Sequence, residues 1–140
     1  MRAARLLGLL LLAGLLLPAS AAACSCAREP EAKRFRTADA AFTGTLVSRR
    51  ELESTGSSGD RFVHRYRVDR RYKGRIGRTV RVRTVRSTAT CGLPTTRRIA
   101  VYLTRVDGHW ASNLCATTTA RAMRRAARGA RAGSARGCPA

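Results

Sequence analysis

Five cysteines are the residues whose types and spacing point most directly to chemistry in this chain. They are Cys24, Cys26, Cys91, Cys115 and Cys138. In an oxidising compartment, five cysteines predict two disulfides and one remaining thiol. Structural zinc sites usually separate paired cysteines by about two to four residues, whereas one residue separates Cys24 from Cys26. We therefore expect disulfides rather than a structural zinc site.

The segment before the first cysteine has the features of an export signal. Arg2 and Arg5 precede an apolar run over residues 6–17, and the small residues Ala21–Ala23 come directly before Cys24. This pattern predicts a signal peptide over residues 1–23, cleavage before Cys24 and a secreted product. The apolar run is shorter than the roughly 20 residues that a membrane-spanning helix needs, so we expect no membrane span.

A second interpretation of the cleavage site concerns the same cysteine. Bacterial lipoproteins also begin on a cysteine that follows small residues, and they carry the lipid on its thiol. Their sites usually place Leu three residues before the cysteine, where this chain has Ala21. Lipid anchoring through Cys24 is therefore the minor alternative to free secretion.

The formal net charge of +20 predicts electrostatic association with anionic polymers. Lys33 and Lys73 are the only lysines, and the excess of arginine together with abundant alanine and glycine is typical of a GC-rich genome. We expect salt-sensitive association with an anionic cell-wall or extracellular polymer. We expect no specific nucleic-acid recognition, because aromatic residues, which stack on bases, make up only 5% of the chain.

Strand patterns dominate the middle of the chain. In the second of them Phe62, His64, Tyr66 and Val68 alternate with polar residues, which indicates one buried and one solvated face. The predicted strands are Ala40 to Ser48, Arg61 to Tyr72, Arg78 to Val85, Arg97 to Val106 and His109 to Leu114. Five short strands favour a closed or nearly closed antiparallel barrel, because closure removes exposed strand edges. A short helix or irregular segment over residues 27–36 is expected to lead into it.

The composition changes after Cys115. Residues 119–140 contain no acidic residue and are rich in arginine and alanine. We expect the folded domain to span residues 24–118, with Thr117 or Thr118 capping a helix that ends near Gly129 and disorder beyond it. The basic segment is interpreted as a solvated extension, and the alternative is an electrostatic tether to an anionic wall.

Several stretches together resemble the tissue inhibitors of metalloproteinases and the wider netrin-like domain family. They are "CSC" after the signal, "ADAAFTGTLVS", "YRVDRRYKG", "CGLP" before a strand that ends in "VYL", and "HWASNLC". The resemblance spans about Cys24 to Cys115. It implies an all-β fold with small helical content, in which a five-stranded OB-type barrel carries an N-terminal lead-in helix and a C-terminal helix.

The resemblance also implies a site at the mature N-terminus. It pairs Cys24 with Cys91 and Cys26 with Cys115, and it assigns the amine and carbonyl of Cys24 to the catalytic zinc of a target metalloendopeptidase. Protease-contacting positions carried over from the family are Cys24, Ser25, Cys26, Ala27, Arg28 and Thr90. The chain needs no cofactor of its own in this interpretation, because the zinc belongs to the protease.

Some features depart from the family. Its third bridge has no first partner around Arg36 to Ala38, so Cys138 is expected to be unpaired within the domain or to pair between chains. Thr90 stands where the family has an apolar residue. The family's second, C-terminal subdomain is absent. The alternative function is a non-inhibitory extracellular module that binds anionic cell-wall polymer or a protein partner.

Enzymatic function is not expected. The sequence offers no acid pair, Ser-His-Asp set or glycine-rich phosphate loop in a supporting context, and no His accompanies Cys24 or Cys138 as a general base. His64 and His109 are expected to be ordinary strand residues rather than ligands.

Overall fold

The structure, a computed structural model, describes residues 24–52, 54–57 and 59–135. The predicted signal peptide and Cys138 lie outside these residues. The chain runs through α1 (Glu31–Thr37), β1 (Ala40–Glu51), β2 (Arg61–Lys73), β3 (Thr79–Val85), a 3₁₀ turn (Thr88–Thr90), β4 (Arg98–Val106), β5 (His109–Ala111), a second 3₁₀ turn (Leu114–Ala116), β6 (Thr117–Thr118) and α2 (Ala120–Ala135). The five strands predicted from alternation are all present, and the two-residue β6 was not predicted.

Strands β1 to β5 form a closed barrel in the order β1-β2-β3-β5-β4, and β4 pairs back onto β1. All of these pairings are antiparallel except that of β3 with β5, which is parallel. β1 reaches both neighbours because it bends at bulges, one of them between Thr43 and Gly44. A Cβ at Gly44 would lie 2.6 Å from the Arg67 carbonyl oxygen, so the bend requires glycine. The predicted fold class, mainly β with two helices, is confirmed.

The barrel encloses one hydrophobic core and carries a second on its outer face. The inner core consists of Ala40, Phe42, Tyr66, Ile76, Val80, Val82, Leu93, Ile99, Val101 and Leu103. The outer core consists of Phe35, Ala38, Ala41, Ala100, Tyr102, Met123, Ala126 and Ala127, from β1, β4 and the two helices. β4 contributes to both cores, and this explains why it is buried continuously from Ile99 to Leu103.

The C-terminal helix α2 differs from its prediction at both ends. It begins at Ala120, and Thr119 caps it by accepting a hydrogen bond from the Ala122 amide at 3.1 Å. Thr117 and Thr118 pair with β4 instead of capping the helix. The helix continues to Ala135, so the prediction of disorder directly after Gly129 is wrong. Its buried face packs against α1 and the sheet, and part of the basic segment therefore belongs to the folded domain.

No helix among the described residues is long and apolar enough to cross a membrane.

Candidate functional site

Two disulfides fix the start of the described chain to the barrel. Cys24 is bonded to Cys91 and Cys26 to Cys115, with Cα–Cα distances of 5.1 and 5.3 Å. These are the two pairs that the family resemblance implies. The sulfurs of Cys24 and Cys115 lie 3.7 Å apart, so the two bridges contact each other. The segment Cys24 to Arg28 is thus attached covalently at its first and third residues.

The 3₁₀ turn before Cys91 forms the second half of the site. Ser87 caps it by accepting a hydrogen bond from the Ala89 amide, and the Ser87 carbonyl accepts a 2.7 Å bond from the Gly92 amide. Cys91 has a left-handed φ of 66°. A Cβ at Gly92 would lie 2.3 Å from the Val85 carbonyl oxygen, so the chain can return to the barrel here only through glycine.

Hydrogen bonds align the two halves with each other. The Cys24 nitrogen donates a 3.0 Å bond to the Ala89 carbonyl, and the Leu114 amide donates a 2.8 Å bond to the Cys91 carbonyl. The segment Cys24–Arg28 therefore lies beside the turn Thr88–Cys91. We call these two segments together the N-terminal ridge.

Arg34 on α1 anchors the ridge from behind. Its guanidinium donates to the carbonyls of Cys115 and Thr117, so it ties α1 to the segment that carries the second disulfide. It also forms a 2.9 Å ion pair with Glu31. Glu31 in turn accepts a 2.7 Å bond from the Tyr102 hydroxyl, and burial together with this bond raises the pKa of Tyr102.

Most of the ridge surface is exposed. Ser25, Cys26, Ala27 and Arg28 are exposed on one half, and Thr90 is exposed on the other. Thr90 also donates its hydroxyl proton to the Ser87 carbonyl at 3.0 Å, so it stabilises the turn. Apart from Arg28, the ridge thus presents small side chains on a fixed backbone, a shape that suits insertion into a cleft.

The sulfurs of Cys24, Cys26 and Cys115 lie within 4.8 Å of one another. Metal binding by cysteine requires thiolates, and sulfurs engaged in disulfides do not provide them. In the oxidised form these cysteines therefore act as structural bridges.

The structure brings together all six predicted contact positions, Cys24 to Arg28 and Thr90. Sequence reasoning missed the groups that hold them in place, which are Ser87, Gly92 and Arg34. The Cys-Gly pair at 91–92 is a local indication of a tight turn. No local pattern distinguishes Arg34 from the other arginines, because its carbonyl partners lie more than 80 residues away.

Comparison of the chain with protein-family models finds no match, and comparison with curated proteins finds none either. The resemblance to the netrin-like family therefore stays a prediction from the sequence.

Proposed function

We propose that the mature chain is secreted, begins at Cys24 and inhibits a zinc metalloendopeptidase by binding its catalytic zinc through the Cys24 amine and carbonyl. The observation that carries this proposal is the position of Cys24. It is the half-buried first residue of the ridge segment Cys24–Arg28, in which residues 25–28 are exposed and the backbone is fixed by two disulfides.

The chemistry requires a free amine with an available lone pair. An α-amine has a pKa of about 8, so a usable neutral fraction exists near neutral pH, and zinc favours loss of the proton. A neutral amine has two hydrogens and one lone pair. One hydrogen suffices for the bond to the Ala89 carbonyl, and the lone pair stays available for the metal.

Catalytic zinc sites hold the metal with three protein ligands and leave a position for water or substrate. The nitrogen and carbonyl oxygen of Cys24 would occupy the open positions and displace that water. Among the described residues, the Cys24 carbonyl accepts no hydrogen bond, so it is available as the second donor.

Rigidity of the ridge supports the same proposal. Ordering a flexible segment on binding costs about 1–2 kcal/mol of backbone entropy per residue. The two bridges reduce this cost because they already order the segment in the free protein. Ser25 would enter the protease pocket next to the zinc, while Ala27, Arg28 and Thr90 would contact the cleft walls. Their exposure is compatible with these roles.

The proposal depends on cleavage before Cys24 and on an oxidising compartment, which disulfides require. Intact mass, N-terminal sequencing and disulfide mapping of the exported protein test both conditions together. A lipid on the Cys24 thiol would contradict the proposal, because lipidation excludes the bond to Cys91 and leads to a blocked amine.

Insertion of one alanine between Ala23 and Cys24, in the mature protein, is the direct test. We expect the extended protein to lose inhibition of a panel of zinc metalloendopeptidases by about a hundredfold or more, equivalent to roughly 3 kcal/mol of binding. The loss would follow because the Cys24 nitrogen becomes an amide without a basic lone pair. Inhibition constants of the native and extended proteins measure this effect.

The control is the fold of the extended protein. Its disulfide map and its unfolding by urea should match those of the native protein, since the insertion adds an exposed residue only. Equal inhibition by the two proteins, or inhibition of no member of the panel by either, would show that the proposed function is wrong.

A further inference from the structure

A cleft on the barrel wall, away from the N-terminal ridge, is lined by four arginines. Arg65 comes from β2, Arg75 from the β2–β3 turn, Arg81 from β3 and Arg105 from β4. The indole of Trp110 on β5 contributes to the same wall. The cleft has a volume of about 570 Å³ and is open to solvent. We call it the arginine cleft.

The positive charge in this cleft is not neutralised by the protein. Arg65 and Arg81 are direct partners in the β2–β3 register, an arrangement of like charges that destabilises a sheet. The lining contains no acidic residue. Within the described part of the chain, none of the four guanidinium groups forms an ion pair or a hydrogen bond.

Arginines without an ion pair are common in this molecule, because it has 28 basic and only 8 acidic residues. The cleft differs in that four of them line one concave surface. Arg34 is paired with Glu31, and Arg86 is paired with both Glu51 and Asp60. The few acidic residues thus neutralise arginines elsewhere, while the cleft keeps several cations close together on rigid strands. An anion bound across several of these guanidinium groups would relieve their mutual repulsion.

Trp110 indicates which kind of anion fits. The Arg105 guanidinium lies 4.5 Å from the centroid of the Trp110 ring, and the indole packs against the inner core. One face of the ring is therefore covered by Arg105. Apart from the imidazole of His109, the wall has no second aromatic side chain, so it offers few of the successive stacking platforms by which proteins bind single-stranded nucleic acid.

We propose that the arginine cleft binds a linear polyanion whose repeating charged group is phosphate. Guanidinium groups form paired, charge-assisted hydrogen bonds with phosphate oxygens. Residues directly opposite in an antiparallel pair have Cβ atoms about 5 Å apart, so Arg65 and Arg81 can bind neighbouring groups of one polymer. Arg75 and Arg105 extend the cationic wall beyond this pair.

This proposal is independent of protease inhibition, because the cleft shares no residue with the N-terminal ridge. It also gives the association with anionic polymer a defined place on the barrel. The exposed arginines of α2, by contrast, lie along a helix and line neither the cleft nor its rim.

The test uses short-chain inorganic polyphosphate and the fluorescence of Trp110. Trp110 is the only tryptophan of the chain, so its emission reports on the cleft directly. We expect titration with polyphosphate to change the emission saturably. The double variant Arg65→Gln/Arg81→Gln should bind at least about tenfold more weakly, and the slope of log affinity against log salt should fall by about two.

The matched control is Arg121→Gln/Arg128→Gln on α2, which removes the same charge from exposed positions. Its affinity should change by less than about twofold, a small difference compared with the loss of two phosphate contacts. Equal losses in the two double variants would overturn the proposal, because they would show binding by net charge alone. Absence of any emission change would also overturn it. Unchanged emission of the free variants verifies that the substitutions preserve the fold.

Three further probes identify the ligand chemistry. Orthophosphate should compete weakly at equal phosphate concentration, because it cannot contact several arginines at once. Single-stranded DNA and heparin, matched in charge, should also bind more weakly than polyphosphate. Tighter binding of either polymer, or equal competition by orthophosphate, would contradict a site for a linear phosphate polymer.

Discussion

The N-terminal ridge and the arginine cleft are two surfaces of one barrel that are held in place by different interactions. The ridge depends on two disulfides, a glycine turn and hydrogen bonds from residues distant in sequence. The cleft depends on strand register, because Arg65 and Arg81 are brought together by the β2–β3 ladder. The ridge presents small side chains and backbone donors, whereas the cleft presents permanent charge.

This difference determines what each surface needs before it can act. The function proposed for the ridge requires oxidation of its cysteines and proteolytic release of the Cys24 nitrogen, so it would depend on export. The cleft needs only a folded barrel, because the arginine charge does not depend on redox state or processing. Removal of a bridge should therefore weaken protease inhibition and leave polyphosphate binding unchanged. Destabilisation of the barrel wall should weaken both.

The largest expected effect comes from removing one bridge with Cys26→Ser/Cys115→Ser, which leaves Cys24 and its nitrogen intact. The bridge joins residues separated by 89 positions, but the retained Cys24–Cys91 bridge shortens the loop that it closes to about 26 residues. In the chain-entropy account, its loss should lower the free energy of unfolding by about 3.5 kcal/mol. Urea unfolding at neutral pH measures this change.

The same variant tests the separation of the two surfaces. In the folded variant, inhibition should weaken by about tenfold or more, since residues after Cys24 must then be ordered on binding at about 1–2 kcal/mol each. Polyphosphate binding should be unchanged. Loss of polyphosphate binding under conditions where the variant is folded would contradict the claim that strand register alone holds the cleft.

The second-largest expected effect is a loss of folding stability at acidic pH, and it originates in the barrel wall. His64 on β2 is buried, its Nδ1 lies 3.1 Å from the Tyr66 hydroxyl, and its Nε2 has no hydrogen-bond partner among the described residues. Burial, with a contribution from the positive charge of Arg49, lowers the pKa of His64 from 6.5 to about 4. The neutral ring is therefore the form that fits the folded barrel.

The unfolded chain binds a proton on His64 at a higher pH than the folded chain does. The stabilisation is complete above about pH 6.5 and declines as the pH falls to about 4, with a total loss of about 3 kcal/mol. Urea unfolding at several pH values measures it. The decline should be smaller in His64→Phe, and an equal decline in that variant would show that other groups are responsible.

The titration of Asp60 contributes little to the change in stability that is assigned to His64. A hydrogen bond from Thr55, together with Arg86, lowers the pKa of Asp60 below its ordinary 3.8. The stability that Asp60 contributes is therefore lost at pH values below the range in which His64 acts. Acid should weaken both surfaces of the protein together, whereas loss of a bridge should weaken mainly the ridge.

The strands could be predicted because each has one side inside the barrel. Phe62, His64 and Tyr66 are buried as the alternation indicates, and their neighbours are more exposed. The alternation thus indicated that His64 shares the buried face, but it did not show that its Nε2 has no hydrogen-bond partner among the described residues. The extent of the acid sensitivity therefore could not be derived from the sequence.

The rest of the fold depends on contacts that no local pattern records. The first half of α2 is held on the domain because Met123, Ala126 and Ala127 pack on α1 and the sheet, and tertiary packing of this kind outweighs intrinsic helix propensity. The arginine cleft required the register that places Arg65 opposite Arg81, and the pattern within one strand does not by itself give the residue opposite each position on the next strand. By contrast, the residues of the ridge were predicted from their resemblance to a family.

The smallest expected effect comes from Thr119→Ala, which removes the cap of α2. The hydroxyl of Thr119 accepts the Ala122 amide, and loss of such a cap should lower the free energy of unfolding by about 1 kcal/mol. Thr95→Ala, at an exposed position between β3 and β4, is the matched control and should have little effect. Urea unfolding of both variants measures the difference. Since Thr119 contacts neither surface, inhibition and polyphosphate binding should remain at native levels. A change in either activity would show that α2 acts on that surface through the outer core, and that the two surfaces are not independent of the helical layer.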